Sequence, residues 1–233
     1  MTTLTPANNK NCDTNNVVDL FPTKTPTTSK HRIIRLSPEY DGLCMLYSNA
    51  GCEPGMFYSM TILCWGLREN GEVVGMVPWL NKLMPCDQLN DEEHCQYCGY
   101  YDDATDCMFS EAPPHKVLEL ETAADYFAAE QTNETDIAQE IPETIGTHAM
   151  LSDGSDNFIL TEVLSWRLLH NGTIQGMLID EQNISVTPVL PGDPCLYPAD
   201  TNPTFCYYFQ HHIANQIKAE DPEILAAIGV LFE

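Results

Sequence analysis

The chain has 233 residues, with 34 acidic and 10 basic side chains, a formal net charge of −24 and a hydrophobic fraction of 43%. That apolar content is enough for a folded core and argues against a disordered chain, and no run reaches the roughly 18 apolar residues of a membrane-spanning helix. Residues 1–35 hold five of the basic groups and only two acids, Asp13 and Asp19, which leaves 32 acids and 5 bases in residues 36–233; such a body repels phosphate backbones and anionic membrane surfaces, so nucleic acid and membrane are not expected partners.

Residues 1–30 are rich in Thr, Asn and Pro and read as a mobile N-terminal arm, with one apolar patch at Val17–Pro22. No apolar signal core is present there, so the expected location is cytoplasmic. Arg32–Leu36 reads as a first strand, Ser37–Gly42 as a turn, Leu43–Tyr47 as a second strand and Asn49–Gly55 as a loop. Phe57–Leu67 is rich in strand formers and is followed by Asn70-Gly71, two residues that accept the positive φ of a type I′ hairpin turn. Val73–Trp79 is the returning strand, and Gly75 within it predicts a bulge or a close backbone approach.

Between Leu80 and Pro114 the chain is polar and cysteine-bearing, with few strand formers. His115–Leu120 begins with alternation, and Glu121–Gln131 turns helical, with Ala123, Ala124, Phe127 and Ala128 as its apolar stripe. Residues 132–147 are polar and acidic and read as a connection. A second hairpin follows, with Val163–Leu169, the turn Asn171-Gly172 and Ile174–Leu178, preceded by a turn at Asp153–Asn157. Glu181–Leu190 reads as a further strand pair and Pro191–Pro203 as a loop. Phe209, Ile213 and Ile217 sit at helical spacing, and Asp221-Pro222-Glu223 supplies a cap, a proline at the first helical position and an early acid for a helix through Leu231.

The two hairpins match without a gap at an offset of 101 residues. Phe57–Met76 and Phe158–Met177 share eight of twenty positions, including Trp65/Trp166, Asn70-Gly71/Asn171-Gly172 and Gly75/Gly176. Downstream, Pro85-Cys86 precedes Cys98 and Gly99-Tyr100-Tyr101, as Pro194-Cys195 precedes Cys206 and Tyr207-Tyr208-Phe209. The fold expected is therefore α+β, an internally duplicated β-hairpin-plus-helix unit giving a β-rich body with short helices. Its parts are the arm (1–30), a first half (31–131), the acidic connection (132–147) and a second half (148–233), with the halves packed as one body.

Ten cysteines are many, but a cytoplasmic address argues against a disulfide framework. Cys95 and Cys98 form a chelating Cys-x-x-Cys pair, and Cys86 and Cys107 flank it nine residues away on either side. Four thiolates in that pattern are candidate ligands for a structural zinc, against the alternatives of free thiols and a redox pair. His211-His212 are a second candidate, although adjacent residues on a helix point about 100° apart and do not converge. The chain has no Gly-x-Ser-x-Gly elbow, phosphate-binding loop, dinucleotide fingerprint or His-Glu-x-x-His. The expected function is an acidic protein-interaction module without catalytic machinery that meets a basic protein partner. The alternative is a small hydrolase that uses a Cys/His pair or a zinc held by the Cys86–Cys107 segment.

Overall fold

The computed structural model describes residues 32–48, 57–79, 81–89, 96–122, 136–152, 158–180 and 189–210. The expected N-terminal arm, the helices over 123–131 and 221–231, the Asp153–Asn157 turn and most of the Glu181–Leu190 strand pair lie outside these residues.

The body is rich in β-structure, with four antiparallel sheets. In the first half β1 is Ile33–Pro38, β2 Cys44–Ser48, β3 Tyr58–Thr61, β4 Cys64–Arg68, β5 Val73–Trp79, β6 Lys82–Pro85, β7 Gln96–Asp102 and β8 Cys107–Phe109. A helix, α1, spans Pro114–Thr122. In the second half β9 is Ile137–Pro142, β10 Thr147–Ser152, β11 Phe158–Glu162, β12 Ser165–Leu169, β13 Ile174–Ile179, β14 Leu196–Pro198 and β15 Phe205–Gln210.

Strand order agrees between the halves except that β8 has no counterpart among the described residues. One sheet runs β1-β4-β5-β6 and its counterpart β9-β12-β13-β14; the other runs β3-β2-β7-β8 and its counterpart β11-β10-β15. Register agrees as well. Cys64, Trp65 and Leu67 face Met76, Gly75 and Val73, while Ser165, Trp166 and Leu168 face Met177, Gly176 and Ile174. Strand β7 slips by one residue between Gly99 and Tyr97, and β15 between Tyr207 and Phe205, which leaves Cys98 and Cys206 as the extra residues.

The stretch Phe57–Leu67, expected as one strand before the first Asn-Gly turn, is bent into two, and the second half has the same break between β11 and β12. β3 and β4 belong to different sheets, and the corner residues Ile62 and Leu63 are both buried, so side chains on either side of the chain enter the core. Their amides stay satisfied, Ile62 N–H on Leu43 O (3.0 Å) and Leu63 N–H on Met76 O (2.9 Å), and Val163 and Leu164 repeat this on Thr147 O and Met177 O, each at 2.9 Å. Bending at a corner lets one chain serve two sheets packed across a shared core.

Several local expectations give way to tertiary context. Residues 80–114, expected to hold little strand, supply β6, β7 and β8, because Tyr100 and Tyr101 are buried against β2. His115–Leu120 is helical rather than alternating: Pro114 opens α1, and Lys116 and Leu120, four residues apart, turn inward together. Phe205–Gln210 is strand, held by β10, despite the helical spacing of Phe209 with Ile213 and Ile217. Residues 137–142, read as connection, form β9 and pair with β12. The place of Pro85-Cys86 is taken in the second half by Pro198-Ala199, since Pro85 pairs with Met76 and Pro198 with Met177; the sequence match to Pro194-Cys195 is four residues early, because the loops that lead there differ in length.

The halves meet along β1 and β9. The Gln139 amide side chain accepts from Leu36 N–H at 2.8 Å and donates to Leu36 O at 2.9 Å, which completes the backbone bonding of the β1 edge. A continuous core runs through both halves, from Trp65, Met45 and Ile62 to Trp166, Leu168 and Ala149.

Candidate functional site

Each Asn-Gly hairpin brings a tryptophan opposite a glycine, and the missing side chain is used. A Cβ on Gly75 would lie 3.0 Å from both Ile62 and the Tyr100 ring; one on Gly176 would lie 2.6 Å from the Tyr208 ring and 3.0 Å from Trp166. Into that space each tyrosine brings its hydroxyl. Tyr100 OH accepts the Gly75 N–H at 3.0 Å, and Tyr208 OH accepts the Gly176 N–H at 2.8 Å. The rings also stack alike, with Trp65–Tyr100 centroids 5.0 Å apart and Trp166–Tyr208 5.1 Å apart. Burial raises the pKa of both tyrosines. These are packing sites: both tyrosine hydroxyls are consumed within the fold.

The first half adds an ionic network. Glu39 follows β1 and is fully buried. Its carboxylate accepts from the Trp65 indole N–H, from the backbone N–H of Asp41 and, at 3.4 Å, from that of Leu43. Lys116 of α1, 3% exposed, reaches Glu39 at 3.5 Å, Asp41 at 3.0 Å and Glu119 at 4.0 Å. Burial works against the lysine charge, yet Asp41, Glu39 and Glu119 together hold its pKa above the usual lysine value. The hydrogen bond from Lys116 in turn lowers the pKa of Asp41, against a smaller opposing effect of burial, with His115 adding to the lowering. Sequence reasoning missed this network. The available signals were Pro38-Glu39, matched by Pro142-Glu143 in the second half, and Lys116 at the first turn of α1.

Beside the network lies an open cleft of about 390 Å³, lined by Asp41, Leu43, Asp102, Ala104, Phe109, Pro113 and His115. His115 Nε2 is 3.2 Å from Asp41. Asp102 accepts from Ala104 N–H at 3.0 Å and Thr105 Oγ at 2.7 Å, which fixes its carboxylate at the rim. The cleft thus combines the carboxylates of Asp41, which also pairs with Lys116 and His115, and Asp102 with the apolar side chains of Leu43, Phe109 and Pro113.

Three of the four candidate zinc cysteines, Cys86, Cys98 and Cys107, lie among the described residues. Cys86 is buried, its thiol 3.3 Å from Tyr100 OH, and burial pushes its pKa up to about 12. The Cys98 thiol lies 3.5 Å from Ser48 Oγ and 3.2 Å from Gln96 O, and the Cys107 thiol 3.5 Å from Thr105 O. Cys95 lies outside the described residues, as do His211 and His212. Among the described residues, no three His, Cys, Asp or Glu side chains are grouped as metal ligands. Cys64 is fully buried and its pKa raised by that burial, as befits a small core residue. Among the described residues, no helix is long and apolar enough to cross a membrane.

Three comparisons place nothing beside this chain: no protein-family model, no curated protein and no solved structure matches it.

Proposed function

We propose that this protein is an acidic interaction module, formed by tandem duplication of one two-sheet unit, that engages a basic protein partner. The observation that carries the reading is where the cations lie. Arg68 and Lys116 are buried against carboxylates, Arg68 bidentate on Asp87 at 2.9 and 2.6 Å. Arg167 is bound to Glu140 at 2.9 Å and Arg32 to Glu69. Arg35 is buried and donates to Leu120 O at 3.1 Å. With these five cations spent within the fold, residues 36–233, which hold 32 acids against five bases, keep a strongly negative balance, a field that accelerates encounter with a positive partner and excludes an anionic one. The cleft between Asp41 and Asp102 is the preferred anchor point for a lysine or arginine side chain of that partner. The shared strand order, shared register and paired Trp–Tyr–Gly sites support the duplication.

The test is calorimetric titration with a defined Lys/Arg-rich peptide and a neutral peptide of equal length. Binding of the basic peptide alone, weakening steeply between about 50 and 200 mM salt as the charges are screened, is the expected result. Equal binding of both peptides, or none, contradicts the reading.

A further inference from the structure

The two Asn-Gly turns have identical local hydrogen bonding and different surroundings, and the difference bears on a reaction that the turns can undergo without any enzyme. In an Asn-Gly pair the glycine amide nitrogen, once deprotonated, can attack the asparagine side-chain carbonyl. The new C–N bond closes a five-membered succinimide and the amide nitrogen leaves as ammonia. Water then opens the ring at either carbonyl, giving aspartate or isoaspartate. One water is consumed, one ammonia is released, and one negative charge is gained. Glycine favours the attack because no Cβ obstructs its nitrogen.

Asn70 and Asn171 are both exposed, and Gly71 and Gly172 have φ of 86° and 87°. Each glycine N–H is held by the turn, Gly71 on Arg68 O at 2.9 Å and Gly172 on Leu169 O at 2.8 Å. Each asparagine Oδ1 accepts the amide two residues on, Glu72 N–H at 3.1 Å and Thr173 N–H at 2.8 Å. Ring closure must break both bonds, so the rate follows how readily each turn opens.

Here the turns part. Around Gly71 an added Cβ would meet nothing within 4 Å. At Gly172 it would lie 2.5 Å from Arg32 Cγ and 3.3 Å from Ile33 O, so the second turn is seated on the start of β1. Both turns are tied by a backbone bond just before the asparagine, Glu69 N–H on Arg32 O at 3.1 Å and His170 N–H on Asp136 O at 3.0 Å, but only the second gains a further one, from an Arg32 guanidinium nitrogen to His170 O at 2.7 Å, whereas the other guanidinium nitrogen binds the Glu69 side chain. We propose that Asn70-Gly71 is a site of spontaneous deamidation in the native protein, and that Arg32 shields Asn171-Gly172 from the same reaction. The product at position 70 places a third carboxylate between Glu69 and Glu72, and isoaspartate lengthens the turn backbone by one atom.

The full chain is aged at mildly alkaline pH, digested, and both turn peptides are quantified by mass spectrometry for the amide-to-acid mass gain and for isoaspartate. A sample in denaturant gives the intrinsic ratio of the two sites. The expected result is similar rates in denaturant, a several-fold excess at Asn70 in the native protein, and a ratio that falls toward the denatured value in Arg32→Ala. Native-state hydrogen exchange on the unaltered chain is the second readout, with Gly172 N–H more protected than Gly71 N–H. Equal native rates, faster reaction at Asn171, or equal protection of the two amides overturns the proposal.

Discussion

Trp65 and Trp166 stand at matched places in matched sheets, and their indole nitrogens meet different fates. Trp65 donates to the buried Glu39 carboxylate, which also faces Lys116 of α1. The Trp166 nitrogen is buried and has no hydrogen-bond partner. Glu143, which follows Pro142 as Glu39 follows Pro38, accepts instead from Ile145 N–H at 3.0 Å, Gly146 N–H at 2.8 Å and Thr147 Oγ at 3.0 Å. Backbone register and aromatic packing thus agree between the halves while the polar chemistry does not. A hairpin turn and a strand corner are set by few residues and tolerate change around them; a buried charge network requires every member at once.

The largest expected effects come from the shared features. Truncating Trp65 or Trp166 to Ala removes a fully buried ring from one core and is expected to cost about 3–5 kcal/mol in either half, measured by chemical denaturation. The network separates the halves next. Glu39→Ala removes one of the three carboxylates around the buried Lys116 and leaves the Trp65 indole N–H and the Asp41 and Leu43 amides without their acceptor, for an expected loss of about 3–5 kcal/mol. Glu143→Ala frees only neutral donors at a half-buried position and should cost about 1–2 kcal/mol. Similar losses for the two glutamates would erase the distinction. Tyr100→Phe and Tyr208→Phe each leave one glycine amide unpaired and should cost about 1–3 kcal/mol apiece.

Titration gives smaller effects, of opposite sign at the two ends of the pH scale. Burial raises the pKa of Cys86, Cys64, Tyr100 and Tyr208 in the fold, so the unfolded chain gives up these protons first. Stability from these groups is complete below about pH 8.5, the ordinary thiol value, and falls as pH rises toward 12. Denaturation midpoints that stay level from pH 8 to pH 10 would contradict this. Asp41 runs the other way. Its pKa is lowered by Lys116, so its contribution is present above the ordinary carboxylate range and lost as pH falls through the lowered value. Because Asp41 is 52% exposed, that loss is small and should vanish in Asp41→Asn.

The β-rich body, a hairpin turn at each Asn-Gly and the close approach at Gly75 and Gly176 were legible in the sequence, because turn chemistry and alternation act within a few residues; the expected type I′ geometry is not what forms, since only Gly71 and Gly172 take positive φ and the turns begin at Arg68 and Leu169, with Asn70 and Asn171 as their third residues. The strands β6 to β8 were not, since residues such as Gln96 and Gly99 have no strand preference of their own and are held by pairing with β2. Phe205–Gln210 misled for a related reason: the aromatic residues that fill the second core also fit a helical stripe. The cleft and the Glu39–Lys116 network were invisible because their members come from β7, β8, α1 and the turn after β1, and only the fold brings them together.

The most direct test of the account is a paired measurement, the unfolding free energies of Trp65→Phe and Trp166→Phe. Both changes keep an aromatic ring and remove the indole nitrogen. The first forfeits a hydrogen bond to a buried carboxylate, worth about 1.5–3 kcal/mol, whereas the second removes a donor that has no partner. The account predicts that Trp65→Phe is the more destabilising by about that margin; equal losses, or a larger loss at Trp166, would contradict it.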